Sequence, residues 1–205
     1  MSRRPARPSI EDPYLLFLVF MGIGIGTVLL DPPVRLTLLW VTLAILSILS
    51  WGRRPVDTAF TLGNIARGAL LGLVIAAPLL VFLSGQVRIF CERLYGTRSP
   101  LLLFYQICLV SAPVEEAFFR GVVQQHKGAS ASIALYAITA LLYCFPHVPI
   151  LAALIVFIAM GVLGIVYTSV YERYGLTASI ASHVVIGFVL QMIPALWGSL
   201  GGILG

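Results

Sequence analysis

Apolar residues run along this chain in long blocks, and short polar punctuation separates them. Blocks at 13–30, 34–51, 69–84, 100–125, 129–145, 150–170 and 177–197 each approach the roughly 20 residues that a membrane-crossing helix needs. Asp31-Pro32-Pro33 divides the first two. Arg53, Arg54 and Asp57 follow the second. Pro146-His147-Val148-Pro149 ends the fifth, and Tyr171-Glu172-Arg173-Tyr174-Gly175 ends the sixth. Stretch 86–95 has a different rhythm. Val87, Phe90, Cys91 and Leu94 fall on one helical face and Arg88 and Glu92 on another. That pattern fits a short helix lying in the interface, or else a connecting loop. The pattern predicts an all-α, polytopic membrane helix bundle of about seven transmembrane helices plus that short interfacial helix. It is read as a single membrane domain over 1–205 with a polar amino-terminal tail over 1–12.

Two details refine the outline. The first block is longer than a signal-peptide core and lacks an Ala-x-Ala exit, so it is expected to stay in the protein. Gly22 and Gly26 within it form a small-xxx-small pair that would let another helix approach closely. The three cysteines, Cys91, Cys108 and Cys144, match no zinc or redox spacing and read as small core residues.

Composition narrows the class. The chain is 60% hydrophobic and only 10% charged, with mean hydropathy +1.01, which excludes an ordinary soluble domain. The net charge of +5 comes from scattered arginines that form no stripe, so no nucleic-acid partner is expected. With seven spans, Arg3, Arg4, Arg7, Arg53, Arg54, Arg67, Arg120, Lys127 and Arg173 share one side. Arg35, Arg88, Arg93 and Arg98 share the other. The positive-inside bias then puts the amino terminus in the cytoplasm, with a bacterial plasma membrane as the expected location. The bilayer is the one partner that composition implies outright. Oligomeric state is left open.

Against this apolar background one stretch stands out: Pro113-Val114-Glu115-Glu116-Ala117-Phe118-Phe119-Arg120-Gly121. Ionisable groups at membrane depth are costly and usually mark a functional site. Glu116 and Arg120 are four apart with the acid nearer the amino terminus, the favourable order for a helical ion pair. Glu115 points about 100° away around the helix. Arg120 is therefore expected to neutralise Glu116 and to leave Glu115 free as a general base. Further polar residues follow at Tyr143, His147 and His183. In lipid such side chains turn toward one another, so Glu115, His147 and His183 are expected to converge.

A carboxylate and an imidazole can activate a shared water, and a second imidazole can donate to a developing oxyanion. That set would hydrolyse an amide without a covalent intermediate. No Gly-x-Ser-x-Gly elbow occurs, and no serine or cysteine is paired with a base at sequence level. The same Glu115, His147 and His183 could hold zinc. The His-Glu-x-x-His signature is missing, so zinc is the weaker version and no cofactor is expected to be required.

These residues carry a resemblance. Glu115, Glu116 and Arg120 match a Glu-Glu-x-x-x-Arg motif. Tyr143 and His147 match Phe-x-x-x-His with tyrosine for phenylalanine. His183 opens a His-x-x-x-Asn motif whose last position is Gly187. In this order they resemble the CAAX prenyl protease and bacteriocin-processing (abortive-infection) family of intramembrane peptidases, over about residues 100–198. The resemblance implies an intramembrane endopeptidase that cuts a peptide or membrane-protein substrate near the membrane surface. It implies Glu115 and His147 as the water-activating pair, His183 as oxyanion donor, and Glu116 and Arg120 as supporting residues. Gly187 departs from the family asparagine, and Gln191, one turn further along, is the residue that could stand in. Two other classes stay open: a non-catalytic module for bacteriocin immunity or scaffolding, and a cation or proton transporter. The transporter reading lacks paired broken helices in matching halves.

Overall fold

A computed structural model describes residues 12–51, 60–97, 99–194 and 196. The amino-terminal tail before Asp12, the loop with Arg53, Arg54 and Asp57, Arg98, and the chain beyond Leu196 lie outside the described residues. Among the described residues the chain forms seven helices and no strand. They are α1 (Pro13–Gly26), α2 (Pro32–Trp51), α3 (Leu62–Tyr95), α4 (Pro100–Lys127), α5 (Ala129–Cys144), α6 (Ile150–Tyr174) and α7 (Leu176–Met192). Four of them, α2, α3, α4 and α6, are long and apolar enough to cross a membrane, while α1, α5 and α7 are apolar but shorter, at 17 residues or fewer. The protein is an all-α, multi-pass membrane bundle.

Local chemistry sets the helix ends. Asp12 caps α1 by accepting the Tyr14 N–H at 2.9 Å, and Thr61 caps α3 by accepting from Asn64 at 3.2 Å, the usual N-cap exchange for an orphan donor. Gly128 alone links α4 to α5, and Gly175 alone links α6 to α7. Both have φ above +80°, a left-handed conformation that glycine adopts without a Cβ penalty. These one-residue turns reverse the chain at one end of the bundle. There Gln125 donates to the Tyr171 hydroxyl at 2.9 Å and ties α4 to α6.

The interfacial helix expected over 86–95 is not a separate element. It continues α3, which runs for 34 residues with Pro78 inside it. At ~1.5 Å per residue α3 is about 51 Å long, well beyond the ~30 Å hydrocarbon layer, so it tilts or extends past it. The apolar face read as lying on the membrane turns inward instead: Cys91 and Leu94 are buried, Val87 and Phe90 are partly buried, and Tyr95 next to them is buried too.

Two further expectations are corrected. Gly22 and Gly26 meet nothing within 4 Å, so they are not a packing seam. The close approach is at Gly68 and Gly72 of α3, where an added Cβ would lie 2.1 Å from the Ala178 carbonyl oxygen and 2.7 Å from that of Ser182. The missing side chains let α3 lie against the backbone of α7. Arg35, read from the sequence as an outer loop charge, is 1% exposed inside α2. Its guanidinium donates to the carbonyls of Leu142 at 2.7 Å, Tyr143 at 3.2 Å and Gly24 at 3.2 Å. A buried cation at the carboxyl end of α5 takes up carbonyls that the helix leaves unpaired.

Candidate active site

The Glu-Glu segment sits in a helix that departs from α geometry on both sides. α4 widens into i→i+5 turns at Tyr105–Ser111 and again at Phe119–Gln124, with an α-helical turn at Ala112–Phe118 between them. Pro113 gives the first widening a cause. It has no N–H for the ladder, and its ring presses on the carbonyl one turn back. Such wide turns recur at functional sites.

Glu116 and Arg120 pair as expected. Both are fully buried, and Arg120 Nη1 lies 3.3 Å from Glu116 Oε1. The guanidinium also donates to the Gly164 carbonyl at 3.3 Å and lies 4.4 Å above the Tyr136 ring. Glu116 holds two more groups, the Ser179 hydroxyl on Oε2 and His183 Nδ1 on Oε1 at 2.9 Å. His183 stacks on Tyr167 with ring centroids 4.5 Å apart. Its plane and its Nδ1 are thus fixed, and Nε2 faces the other glutamate.

Glu115 is not free, which corrects the sequence expectation. Its Oε1 accepts from Ser111 Oγ at 2.8 Å, Trp40 Nε1 at 3.0 Å and Tyr143 Oη at 3.1 Å. All three donors are neutral. No arginine or lysine lies within ion-pair reach of Glu115 among the described residues, and its Oε2 lies 4.0 Å from His183 Nε2. So the two carboxylates divide as the helix phase predicts: Glu116 is charge-paired, and Glu115 is hydrogen-bonded on one oxygen only. Ser111 also overturns the statement that no serine is paired with a base. It lies one turn before Glu115, and that i, i+4 spacing is the signal that could have revealed it.

Glu115 and His183 open onto one cavity of about 80 Å³, shared with Ser111, Tyr143, Tyr95 and Gln191. A water needs roughly 10–15 Å³ and two or more polar partners, so the cavity that the carboxylate and the imidazole line has room for one. The other wall is apolar, formed by Leu36, Phe90, Leu94, Val156 and Met160.

His147 is not brought into this cluster. It lies in the turn after α5, half-buried, and its Nε2 is enclosed without a hydrogen-bond partner. Tyr143, one turn earlier, is the residue of that motif that reaches Glu115. The zinc set of Glu115, His147 and His183 therefore does not form in this arrangement. Among the described residues no three His, Cys, Asp or Glu side chains converge as a metal site.

Residues 97–189 match the family model for type II CAAX prenyl endopeptidases, Rce1-like. That segment resembles the CAAX prenyl protease family. The family is one of membrane proteases, and the matched segment begins just before α4 and ends in α7, so it holds Glu115, Glu116, Arg120, Tyr143, His147 and His183. Trp40 and Tyr95 were not legible as site residues; they lie outside any motif, on helices before the matched segment. No curated protein and no solved structure matches the chain.

Proposed function

We propose that the chain is an intramembrane endopeptidase in which Glu115 takes a proton from a water held in the cavity. The water oxygen then bonds to the carbonyl carbon of the scissile amide, and negative charge grows on the carbonyl oxygen. His183 Nε2–H donates to that oxygen. Donation from both ring nitrogens at once, Nδ1 to Glu116 and Nε2 to substrate, requires the imidazolium form. As the tetrahedral intermediate collapses, the C–N bond breaks and the proton on Glu115 passes to the leaving nitrogen. Atoms and charge balance without a covalent enzyme intermediate.

The observation that carries this reading is the facing pair Glu115 Oε2 and His183 Nε2, 4.0 Å apart on one cavity. The spacing is too long for a direct hydrogen bond, and a guest in the cavity beside them can reach both atoms. Glu116, Arg120 and Ser179 hold His183 in place and touch no substrate. The apolar wall would take an apolar side chain beside the scissile bond.

Ser111 supports a second reading, in which its hydroxyl attacks with Glu115 as base, because their 2.8 Å contact is nucleophile–base geometry. One experiment separates the two. Purified protein in nanodiscs is given quenched-fluorescent peptides, each anchored by one apolar helix. The water mechanism predicts that Glu115→Gln cleaves none and that Ser111→Ala cleaves slowly. Cleavage retained by Glu115→Gln contradicts a glutamate base. Cleavage lost in Ser111→Ala, with an acyl adduct on Ser111 in the wild type, moves the attack to the serine.

A further inference from the structure

We infer that Gln191 is the second oxyanion donor of this site and that Tyr95 is the residue that aims it. The inference rests on the peptidase reading above and names a group which that reading leaves open.

A lone imidazole is a thin oxyanion hole, and position 187 cannot supply the missing donor. A Cβ at Gly187 would lie 2.6 Å from Ile107 Cγ2, so this face of α7 packs directly on α4. A side chain there would require Ile107 to move.

Gln191 is placed differently. In a regular α-helix a residue eight positions after His183 sits about 80° off its face, at ~3.6 residues per turn. α7 does not stay regular. Beginning at Phe188 it widens into i→i+5 turns through Met192. A wider turn takes more residues to come round, which holds back part of that drift and returns Gln191 toward the face of His183. Accordingly, Gln191 and His183 line the same cavity as Glu115.

The amide is also oriented. Tyr95 Oη donates to Gln191 Oε1 at 2.9 Å. With the oxygen engaged, the Nε2 hydrogens are the remaining polar face of the side chain, and nothing among the described residues accepts them. Tyr95 is itself held: it is buried, and its ring stacks on Trp40 with centroids 6.3 Å apart. Trp40 in turn donates to Glu115. One chain of contacts thus runs from the base through Trp40 and Tyr95 to the amide, and fixes donor and base relative to each other. Preorganised donors of this kind cost no reorganisation when charge develops.

The test uses the anchored quenched peptides in nanodiscs, with Glu115→Gln as the reference for true cleavage. Gln191→Met keeps the size and removes the donor. It should lower kcat by ~10²–10³ and leave KM within about threefold, the usual cost of one oxyanion donor. Tyr95→Phe keeps the ring and its stacking on Trp40 and frees the amide to rotate. It should lower kcat about tenfold, again at constant KM, and it decides the matter if Gln191→Met is not recovered folded. Glu115-dependent cleavage that stays within threefold of wild type in both variants overturns the inference and leaves the peptidase standing. A loss that falls on KM alone also overturns it. Absence of any Glu115-dependent cleavage in the wild type removes the peptidase reading and this inference together.

Discussion

Tyr143, in the last turn of α5, donates its hydroxyl to Glu115 at 3.1 Å. One hydrogen bond therefore joins the end of a short helix to the carboxylate at the centre of the bundle. It also holds Oε1 still, so that Oε2 is left to face His183. Tyr143→Phe removes that bond with little change of volume. A hydrogen bond to a charged group contributes about 1.5–3 kcal/mol. The variant should unfold earlier in detergent, and cleavage of anchored peptides should fall about tenfold. Cleavage at the wild-type rate would mean that Tyr143 does not position Glu115.

Arg35 supports the same corner from the other side. Its guanidinium holds the Leu142 and Tyr143 carbonyls to α2 and reaches back to Gly24 of α1. Arg35→Met should leave those carbonyls short of donors, at a cost of about 1–3 kcal/mol for each buried group left unpaired. Arg35→Lys should be intermediate, because a single ammonium cannot reproduce the planar fork. Thermal unfolding in the same detergent ranks the three proteins. Equal midpoints would show that α5 ends where it does without Arg35.

The bundle and the Glu116–Arg120 pair were legible because both follow from local rules, apolar block length and i, i+4 spacing. What lay hidden depends on contacts between distant helices. The neutral donors on Glu115 come from α2 and α5 as well as from α4. Tyr95 was hidden because 86–95 has an amphipathic pattern that fits a membrane surface as well as a buried helix end; packing against α2 and α7 chose the second. The same holds for glycine. Gly22 and Gly26 have the right spacing and no neighbour, whereas Gly68 and Gly72, with the same spacing at the start of the third apolar block, meet the α7 backbone.

That contrast is testable. Gly68→Ala should push α3 from α7, with overpacking costs of about 1–3 kcal/mol, and should disturb His183 through its helix. Gly22→Ala should be neutral or gain up to about 1 kcal/mol from helix propensity. Unfolding midpoints of the two variants check both; a stable Gly68→Ala protein would contradict the packing described.

Asp12 and Lys127 join the start of α1 to the end of α4 at 2.7 Å. The Lys127 hydrogen bond, with the Tyr14 N–H, holds the Asp12 carboxyl below its usual range. A carboxyl depressed in the folded state binds its proton more readily when unfolded, so its stabilisation is present above the usual carboxylate pKa of ~3.9 and is lost as pH falls further. Protection of the first-turn amides of α1 against hydrogen exchange, relative to the intrinsic rate at each pH, should fall below that pH in the wild type. In Lys127→Ala that protection should be lower at neutral pH and respond less to acid. Identical exchange in the two proteins would show that the contact does not hold α1.

The central claim is peptide-bond hydrolysis that depends on Glu115. The most direct measurement is a mass-spectrometric survey of new peptide termini in host membranes, comparing the wild-type chain with Glu115→Gln at equal expression. Termini that form only with intact Glu115 are the predicted result, and they would name the substrate. Identical termini, with both proteins stably inserted, would contradict the claim and leave a membrane module for immunity or scaffolding as the better reading.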